Sequence, residues 1–307
     1  MHPEAEHFAR RAHGAFIAAI ATPMTASGET DPAVTASYAH AVMRDGASGL
    51  AAAVHTGRGP HLSIAERKDV VLAASEAADL VVTGVQLDES GEIGEWPRHA
   101  ADAGASALLV FTPRALVAQD LRRGLDQLWD RSGLPLILFD LYSSPLDHAA
   151  LPGLLDHPAV AAFKPARLRA KRASRNGIEL AARAGRTVLS GEDLMLPESL
   201  SWGASGALIG LGAACTGLTA AFLRAFRADD TATLRRLSPH LDTFANSTFV
   251  EPMDAYVQRM LWVAVDEGTI PPEFGFDPRG ATAPDPATRA AVIEAARAAR
   301  AAVVSAP

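Results

Sequence analysis

The fold is decided by residues 134–164, whose sequence is LPLILFDLYSSPLDHAALPGLLDHPAVAAFK. This stretch holds two short apolar runs, Pro135–Leu141 and Ala159–Phe163, and neither shows a regular alternation of apolar and polar residues. Runs of this kind are typical of strands that are buried on both faces, as in a parallel sheet. The stretch therefore predicts two strands of a parallel sheet, the second of which is followed by Lys164.

The same pattern recurs along the chain. Eight short runs rich in Val, Ile, Leu and Ala lie at Ala15–Ala21, Gly49–Val54, Leu80–Val85, Ala107–Phe111, Pro135–Leu141, Ala159–Phe163, Thr187–Ser190 and Gly206–Leu211. Helical patterns separate them, including Asp31–Arg44 and a helix that begins with a capping box from Ser63 to Glu66. Eight strand–helix repeats over about 220 residues predict an α/β fold, a (β/α)8 TIM barrel. A doubly wound open sheet is the alternative, but no GxGxxG motif follows the first run.

After the eighth repeat the pattern becomes purely helical. Thr231–Phe244, Met253–Glu267 and Pro286–Val304 have helical patterns, and no apolar strand lies between them. The intervening segment 268–285 is rich in Pro and Gly and is interpreted as a connector. We expect three parts, namely an N-terminal extension at residues 1–13, the barrel at 14–225 and a C-terminal three-helix layer packed on the barrel at 226–307.

The composition narrows the classes of function. The chain has 307 residues, of which 49% are hydrophobic and 21% charged, which is typical of a globular protein. Its net charge is −7, and no long basic run suggests a nucleic acid or an anionic membrane as partner. Cys215 is the only cysteine, which excludes an internal disulfide and a thiolate-rich metal site. The sequence shows neither an apolar span of about 20 residues nor the apolar core of a signal peptide, so we expect a cytoplasmic protein.

Lys164 is the first candidate for chemistry. Active sites of (β/α)8 barrels lie at the carboxyl ends of the strands, and Lys164 ends the run VAAF. Burial among apolar walls would lower the pKa of its amine and make it a better nucleophile toward a carbonyl. It is also one of three lysines among 28 basic residues. An ion pair with Glu192 or Asp193 would explain a lysine at this position equally well.

Two other strand ends carry polar groups. The loop HTGRG at 55–59 has glycines that let backbone N–H groups converge on an anion, and Thr56 adds a hydroxyl donor. This loop is a candidate for binding a carboxylate or phosphate, although a plain turn would need the same glycines. Asp140, Glu192 and Asp193 could together bind a divalent metal. They come from only two strands, and we predict no metal site.

Several segments together resemble a known family. They are AIATPM (19–24), GETD (28–31), GASGLAAAVHTGRGPHLSIAER (46–67), LLVFTP (108–113), LPLILFD (134–140), AFK (162–164) and SGEDLMLPESLSWGASGALIG (190–210). In their order and spacing they are similar to the dihydrodipicolinate synthase/N-acetylneuraminate lyase family. These enzymes form Schiff bases with pyruvate and related 2-oxo acids. The resemblance covers roughly residues 14–300, and it implies a homo-oligomer, either a dimer or a homotetramer.

The resemblance assigns roles to individual residues. Lys164 matches the lysine that forms the Schiff base. Thr56 and Gly57 match residues that bind the carboxylate of the 2-oxo acid through backbone and hydroxyl donors. Arg114 is expected to bind a second anionic group of the substrate, because a guanidinium fits the fork of a carboxylate. Gly191, at the end of the seventh strand, is also predicted to contact the substrate.

Other family positions are changed, which makes the chain a divergent member. Phe139 falls where the family has its proton-shuttling tyrosine, and a phenyl ring cannot transfer a proton. We expect Phe139 to line the substrate site and the chain not to be dihydrodipicolinate synthase itself. His55 replaces a threonine and is the preferred catalytic acid–base group, because imidazole titrates near neutral pH. Tyr142 is the other candidate, unless it packs on a neighbouring subunit, and Arg58 replaces a glutamate.

The sequence therefore predicts a class I, Schiff-base-forming lyase or aldolase. Its substrate would be a 2-oxo acid such as pyruvate or a 2-keto-3-deoxy sugar acid. The reaction would be C–C bond cleavage or formation, or dehydration, without a cofactor. A second hypothesis is a family member that has lost catalysis and binds a ligand or acts as a regulator. A third is a metal-dependent barrel enzyme that uses Asp140, Glu192 and Asp193.

Overall fold

Eight parallel strands form a closed barrel, as predicted. The structure is a computed structural model that describes residues 1–88, 93–112, 117–280 and 282–304. The strands pair in chain order, and the last pairs with the first. They are β1 (Phe16–Ala19), β2 (Gly49–Ala52), β3 (Val81–Gln86), β4 (Ala107–Phe111), β5 (Leu136–Leu141), β6 (Val160–Ala166), β7 (Thr187–Ser190) and β8 (Gly206–Ile209).

Helices surround the barrel and extend beyond it. The first helix precedes β1, one helix follows each strand, and the last three form the predicted C-terminal extension. In the described parts of the chain they are α1 (Pro3–Ala12), α2 (Pro32–Arg44), α3 (Ile64–Ala77), α4 (Trp96–Ala100), α5 (Ala118–Ser132), α6 (Leu151–Leu155), α7 (Lys171–Arg183), α8 (Leu196–Ser201), α9 (Thr216–Arg227), α10 (Thr231–Thr248), α11 (Tyr256–Asp266) and α12 (Ala287–Val304). None of these helices is both long and apolar enough to cross a membrane.

The strands are mostly apolar because both of their faces are buried. One hydrophobic cluster lies between the barrel and its helices, and a second fills the barrel interior. Helix α1 closes the interior at the amino ends of the strands, where Ala5, Phe8 and Ala12 are buried in the second cluster. With that end filled, the carboxyl ends of the strands are where side chains can surround a ligand.

Strand β6 is longer than the apolar pattern indicated. It continues three residues past Phe163, and Lys164, Pro165 and Ala166 pair with β5. Lys164 therefore lies within the strand, directly opposite Phe139. The apolar run stops at the first charged residue, whereas the hydrogen-bonded ladder does not. Because the residues before and after Lys164 are paired with β5, the strand holds the lysine side chain more rigidly than a loop would.

The C-terminal layer reaches the carboxyl end of the barrel. Helix α11 begins at Tyr256, directly after a 3₁₀ turn at Met253–Ala255. The predicted connector contains another 3₁₀ turn, at Pro272–Phe274, and Phe276 then forms a β-bridge with Met24 after β1. This segment of the chain thus packs against the loops that follow the first strands.

Candidate functional site

A small cavity lies at the carboxyl ends of the strands. Its volume is about 30 Å³, which is enough for one or two water molecules. It is lined by His55, Thr56, Phe139, Leu141, Tyr142, Lys164, Ala166, Leu168, Gly191, Asp193, Gly210, Phe249 and Tyr256. The cavity brings together most of the residues predicted from the sequence. It also contains side chains from the C-terminal layer.

Lys164 lies in this cavity against an aromatic wall. Its side chain is buried, with 5% of the residue exposed, and Nζ lies 4.0 Å from the centroid of the Phe139 ring. Burial lowers the pKa of the amine, while the charges of Asp193 and Glu192 act in the opposite direction. Among the described residues, no carboxylate oxygen lies within 4.0 Å of Nζ. The lysine thus faces a ring and has no direct ion pair.

Asp193 is the nearest acidic neighbour that lines the cavity. Its Oδ1 accepts a hydrogen bond of 2.6 Å from the Leu211 N–H. Burial raises the pKa of this carboxyl, whereas the hydrogen bond from Leu211 and the charge of Lys164 lower it. Burial thus shifts the pKa of Lys164 downward and the pKa of Asp193 upward, so the two values approach each other.

Gly191 has no side chain, which leaves room for the side chain of Lys164. A Cβ atom at this position would lie 2.6 Å from Lys164 Cε and 2.7 Å from the Pro165 carbonyl oxygen. The Gly191 N–H already donates to that carbonyl over 2.7 Å. The predicted substrate-binding residue therefore has its amide engaged within the fold, and its visible role is to admit the lysine side chain.

The loop 55–59 presents donors next to the cavity. Thr56 is buried, and the Thr22 hydroxyl donates to the Gly57 carbonyl oxygen over 2.7 Å, which holds the loop against β1. Neither the Thr56 nor the Gly57 N–H donates to an acceptor among the described residues. A buried N–H group without an acceptor is costly, so these donors are suited to an anionic ligand.

His55 packs between aromatic rings at the edge of the cavity. Its ring lies parallel to that of Tyr256, 5.9 Å away, and its Nδ1 is 2.9 Å from the Tyr256 hydroxyl. Burial and the positive charges of Arg58 and Lys164 lower the pKa of the imidazole to about 4. The ring is therefore neutral at pH 7, and it does not titrate near neutrality as the sequence hypothesis assumed.

Tyr142 also borders the cavity. Its ring meets His55 edge-on at 6.3 Å, and burial raises the pKa of its phenol to about 12. In the described part of the structure, its hydroxyl has no hydrogen-bond partner. Tyr142 thus lies where a ligand could reach it, but no neighbouring side chain orients its proton.

Tyr256 was not identified from the sequence. It is the first residue of α11, in the C-terminal layer, and its side chain is buried in the cavity wall. Its hydroxyl is 3.0 Å from Thr56 Oγ1 and 2.9 Å from His55 Nδ1. Its ring stacks on Phe249, with centroids 4.8 Å apart. The only sequence signal was that tyrosine is scarce, with three in the chain.

Arg58 connects this loop to the C-terminal layer. Its guanidinium is buried, and it donates to Asp254 Oδ1 at 2.7 Å and to Asp277 Oδ2 at 2.6 Å. It also donates to the Asp254 carbonyl oxygen at 2.9 Å. Burial lowers the pKa of Arg58, but the hydrogen bonds that it donates to the two carboxylates outweigh this effect and raise the pKa above its usual value. The guanidinium is thus fully used in holding residues 254 and 277 on the barrel.

The sequence family can be assigned from comparison with known proteins. Residues 12–268 match the family model of the Dihydrodipicolinate synthetase family. The chain belongs to this family. A 4-hydroxy-tetrahydrodipicolinate synthase from Mycolicibacterium paratuberculosis is 26% identical over 235 residues, which cover 73% of this chain and 76% of that protein. The resemblance inferred from the sequence is confirmed, and the modest identity agrees with a divergent member.

Solved structures of the dihydrodipicolinate synthetase family share the fold. A prophage protein from E. coli K12, in complex with pyruvate, has a TM-score of 0.80 at 23% identity and covers 93% of this chain and 98% of its own. The dihydrodipicolinate synthase from Acinetobacter baumannii, complexed with pyruvate, has a TM-score of 0.79 at 21% identity. It covers 94% of this chain and 98% of its own. The family's lyase fold is therefore the fold of this chain.

In this family member the carboxylates considered for a metal serve other purposes. Asp140 accepts hydrogen bonds from the Leu146 N–H, from His148 Nε2 and from Arg167 Nε. Glu192 accepts from two backbone N–H groups and from a serine hydroxyl. Across the described residues, no three His, Cys, Asp or Glu side chains form a group that could hold a metal ion. Arg114, predicted to contact the substrate, lies outside the described residues.

Proposed function

We propose that the protein is a class I lyase or aldolase that forms a Schiff base between Lys164 and a 2-oxo acid. The observation that carries the proposal is the buried amine of Lys164, whose pKa is lowered by burial and which faces the cavity at the carboxyl ends of the strands. A neutral amine is the form that attacks a ketone carbon. The curated relative is named as a synthase of this family, and two structural neighbours bind pyruvate, which supports a 2-oxo acid as substrate.

The reaction follows from the groups in the cavity. The Lys164 amine adds to the ketone carbon, and loss of water gives a protonated imine that withdraws electrons from the adjacent carbon. An enamine then forms, through which C–C bond cleavage or formation, or dehydration, proceeds. The N–H groups of Thr56 and Gly57 hold the carboxylate. Because the donors have no acceptor among the described residues, the carboxylate completes their hydrogen bonds.

The cavity must widen when the substrate binds. A volume of about 30 Å³ holds one or two water molecules, and even pyruvate is several times larger than a water molecule. Arg114 would bind a second anionic group on a larger substrate.

We also propose that the protein is a homodimer or homotetramer. Sedimentation velocity tests that part, and a monomer at micromolar concentration would overturn it.

Borohydride trapping tests the proposal. The protein is incubated with pyruvate or another 2-oxo acid and reduced, and the adduct is located by peptide mass spectrometry. We expect an adduct on Lys164 that is abolished by Lys164→Met and retained in Lys171→Met. Lys171 is a suitable control because it is exposed and pairs with Glu198 on the outer face of the barrel. A folded protein that gives no Lys164 adduct with any 2-oxo acid would refute the proposal.

The second candidate function is a ligand-binding or regulatory protein without catalysis. The observation that favours it is the Phe139 ring, which faces Lys164 Nζ and can neither donate nor accept a proton. Calorimetry with the same 2-oxo acids distinguishes the two functions. Binding without an adduct after reduction would favour the non-catalytic protein.

A further inference from the structure

A phenol, a hydroxyl, an imidazole and a lysine meet in one cavity. Tyr256 reaches this cavity from the C-terminal layer, and its hydroxyl is within hydrogen-bond distance of both Thr56 Oγ1 and His55 Nδ1. Lys164 lines the same cavity. The phenol is the one group there that is both able to carry a proton and held by two partners among the described residues.

We propose that Tyr256 is the catalytic residue that carries protons to and from the imine on Lys164, with His55 and Thr56 as its positioning residues. This inference rests on the proposed function. It replaces the sequence hypothesis that His55 or Tyr142 performs the proton transfer. It also assigns catalysis to a residue that lies outside the barrel's own strands and loops.

The hydrogen bonds to Tyr256 fit the needs of a proton carrier. A phenol oxygen can accept two hydrogen bonds while it donates its own proton. Thr56 can donate from its hydroxyl, and neutral His55 can donate from Nδ1–H. The Tyr256 proton is then left to point into the cavity, and the same two donors stabilise the phenolate after the proton has gone. Tyr142 has no comparable donors among the described residues.

The proton balance of the first steps needs no other reagent. The Lys164 amine adds to the ketone, and one amine proton moves to the oxygen to give a carbinolamine. Tyr256 donates its proton to the carbinolamine hydroxyl, which leaves as water, and a protonated imine and a phenolate remain. The phenolate then removes a proton from the carbon next to the imine, which gives the enamine and restores the phenol. The sum is amine plus ketone giving enamine plus water.

Arg58 holds Tyr256 in place from outside the cavity. It donates to the side chain and the carbonyl oxygen of Asp254, two residues before Tyr256. Arg58 also follows Thr56 closely in the loop, so one guanidinium fixes both hydrogen-bond partners relative to each other. Burial raises the pKa of the Tyr256 phenol, and the hydrogen bond from Thr56 and the positive charge of Arg58 offset part of this rise. Gly210 packs beneath the pair, since a Cβ there would lie 3.1 Å from Thr56 Oγ1.

The three tyrosines of the chain provide a matched test. Tyr256→Phe, Tyr142→Phe and Tyr38→Phe each remove one hydroxyl and leave the ring. Tyr38 is the control, because it is buried away from the cavity and donates to the Ala213 carbonyl oxygen. The assay is exchange of the protons next to the ketone for deuterium in D2O, followed by NMR. Its substrate is whichever 2-oxo acid is trapped on Lys164.

We expect Tyr256→Phe to lower the exchange rate by about 10²–10⁴-fold with little change in the Kd of the acid. Tyr38→Phe should exchange at the wild-type rate, and Tyr142→Phe much faster than Tyr256→Phe. A folded Tyr256→Phe variant that still forms the Lys164 adduct and exchanges protons at the wild-type rate would overturn the role of Tyr256, but not the proposed function. If wild-type protein forms no adduct, the proposed function itself is refuted.

A second measurement covers the case in which Tyr256→Phe does not fold. In a Tyr38→Phe, Tyr142→Phe background, fluorotyrosine incorporation changes Tyr256 alone. Fluorine lowers the pKa of a phenol, so the exchange rate at fixed pH should change step by step as more fluorine atoms are placed on the ring, as expected for a group that transfers a proton. An exchange rate that does not depend on the number of ring fluorines would overturn the role of Tyr256.

Discussion

Replacing Arg58 with methionine should destabilise the protein strongly. Arg58 donates to Asp254 and Asp277, and the exposed fractions of the Arg58 and Asp277 side chains are 6% and 3%. Methionine keeps much of the volume but leaves the Asp277 carboxylate buried without its partner. Breaking a buried ion pair in this way costs about 3–5 kcal/mol. Urea unfolding followed by circular dichroism measures the change in the free energy of unfolding.

A surface pair gives the control for this prediction. Arg10 and Glu6 lie 2.8 Å apart on α1, with side chains 64% and 61% exposed. Exposed pairs contribute about 0–1 kcal/mol, so Arg10→Met should barely change stability. The double variant Arg58→Met, Asp277→Leu should recover much of the loss, because the buried Asp277 carboxylate is removed together with its partner. A loss below about 1 kcal/mol in Arg58→Met would refute the reasoning.

Three further predictions concern the cavity, and a fourth concerns helix α3. Gly191→Ala should abolish adduct formation on Lys164, because the new Cβ would lie 2.6 Å from Cε, while Gly217→Ala, whose Cβ meets nothing closer than 3.9 Å, should react normally. In an NMR titration, the His55 ring signal should stay constant between about pH 6 and 8, since its pKa is lowered to about 4; a midpoint near 6.5 would contradict this. The yield of adduct should rise with pH as the Lys164 amine loses its proton. The midpoint of this rise should lie below about pH 10.4, the ordinary pKa of an exposed lysine. Ser63→Ala should cost about 1 kcal/mol in urea unfolding, because the capping box of α3 is lost.

The barrel could be predicted because its signal is local. Each strand is a short apolar run, and Ala107–Phe111 and Thr187–Ser190 were predicted with the bounds that the structure has. The ladder of β6 beyond Lys164 was missed, because its continuation depends on pairing with β5 and not on the apolarity of residues 164–166. Local patterns thus determined the elements, and long-range pairing determined their ends.

The candidate site was only half predictable for the same reason. Lys164, Thr56 and His55 stand at the ends of recognisable strands, so their convergence follows from barrel geometry. Tyr256 reaches them through a packing contact between residues 200 positions apart, for which no local pattern exists. The neutral state of His55 was equally hidden, because it comes from burial and from the charge of Arg58.

The ion pair between Arg58 and Asp277 joins residues 219 positions apart, which has a consequence for synthesis of the protein. A chain grows from its amino end, so the barrel strands leave the ribosome long before Asp277 does. A nascent chain that has passed Lys164 but has not reached residue 254 has neither Tyr256 nor the contact between Arg58 and Asp254 that anchors it. If Tyr256 carries the protons, a chain that ends before residue 256 lacks the group that transfers them. The protein would then become active only after the start of helix α11 has been translated.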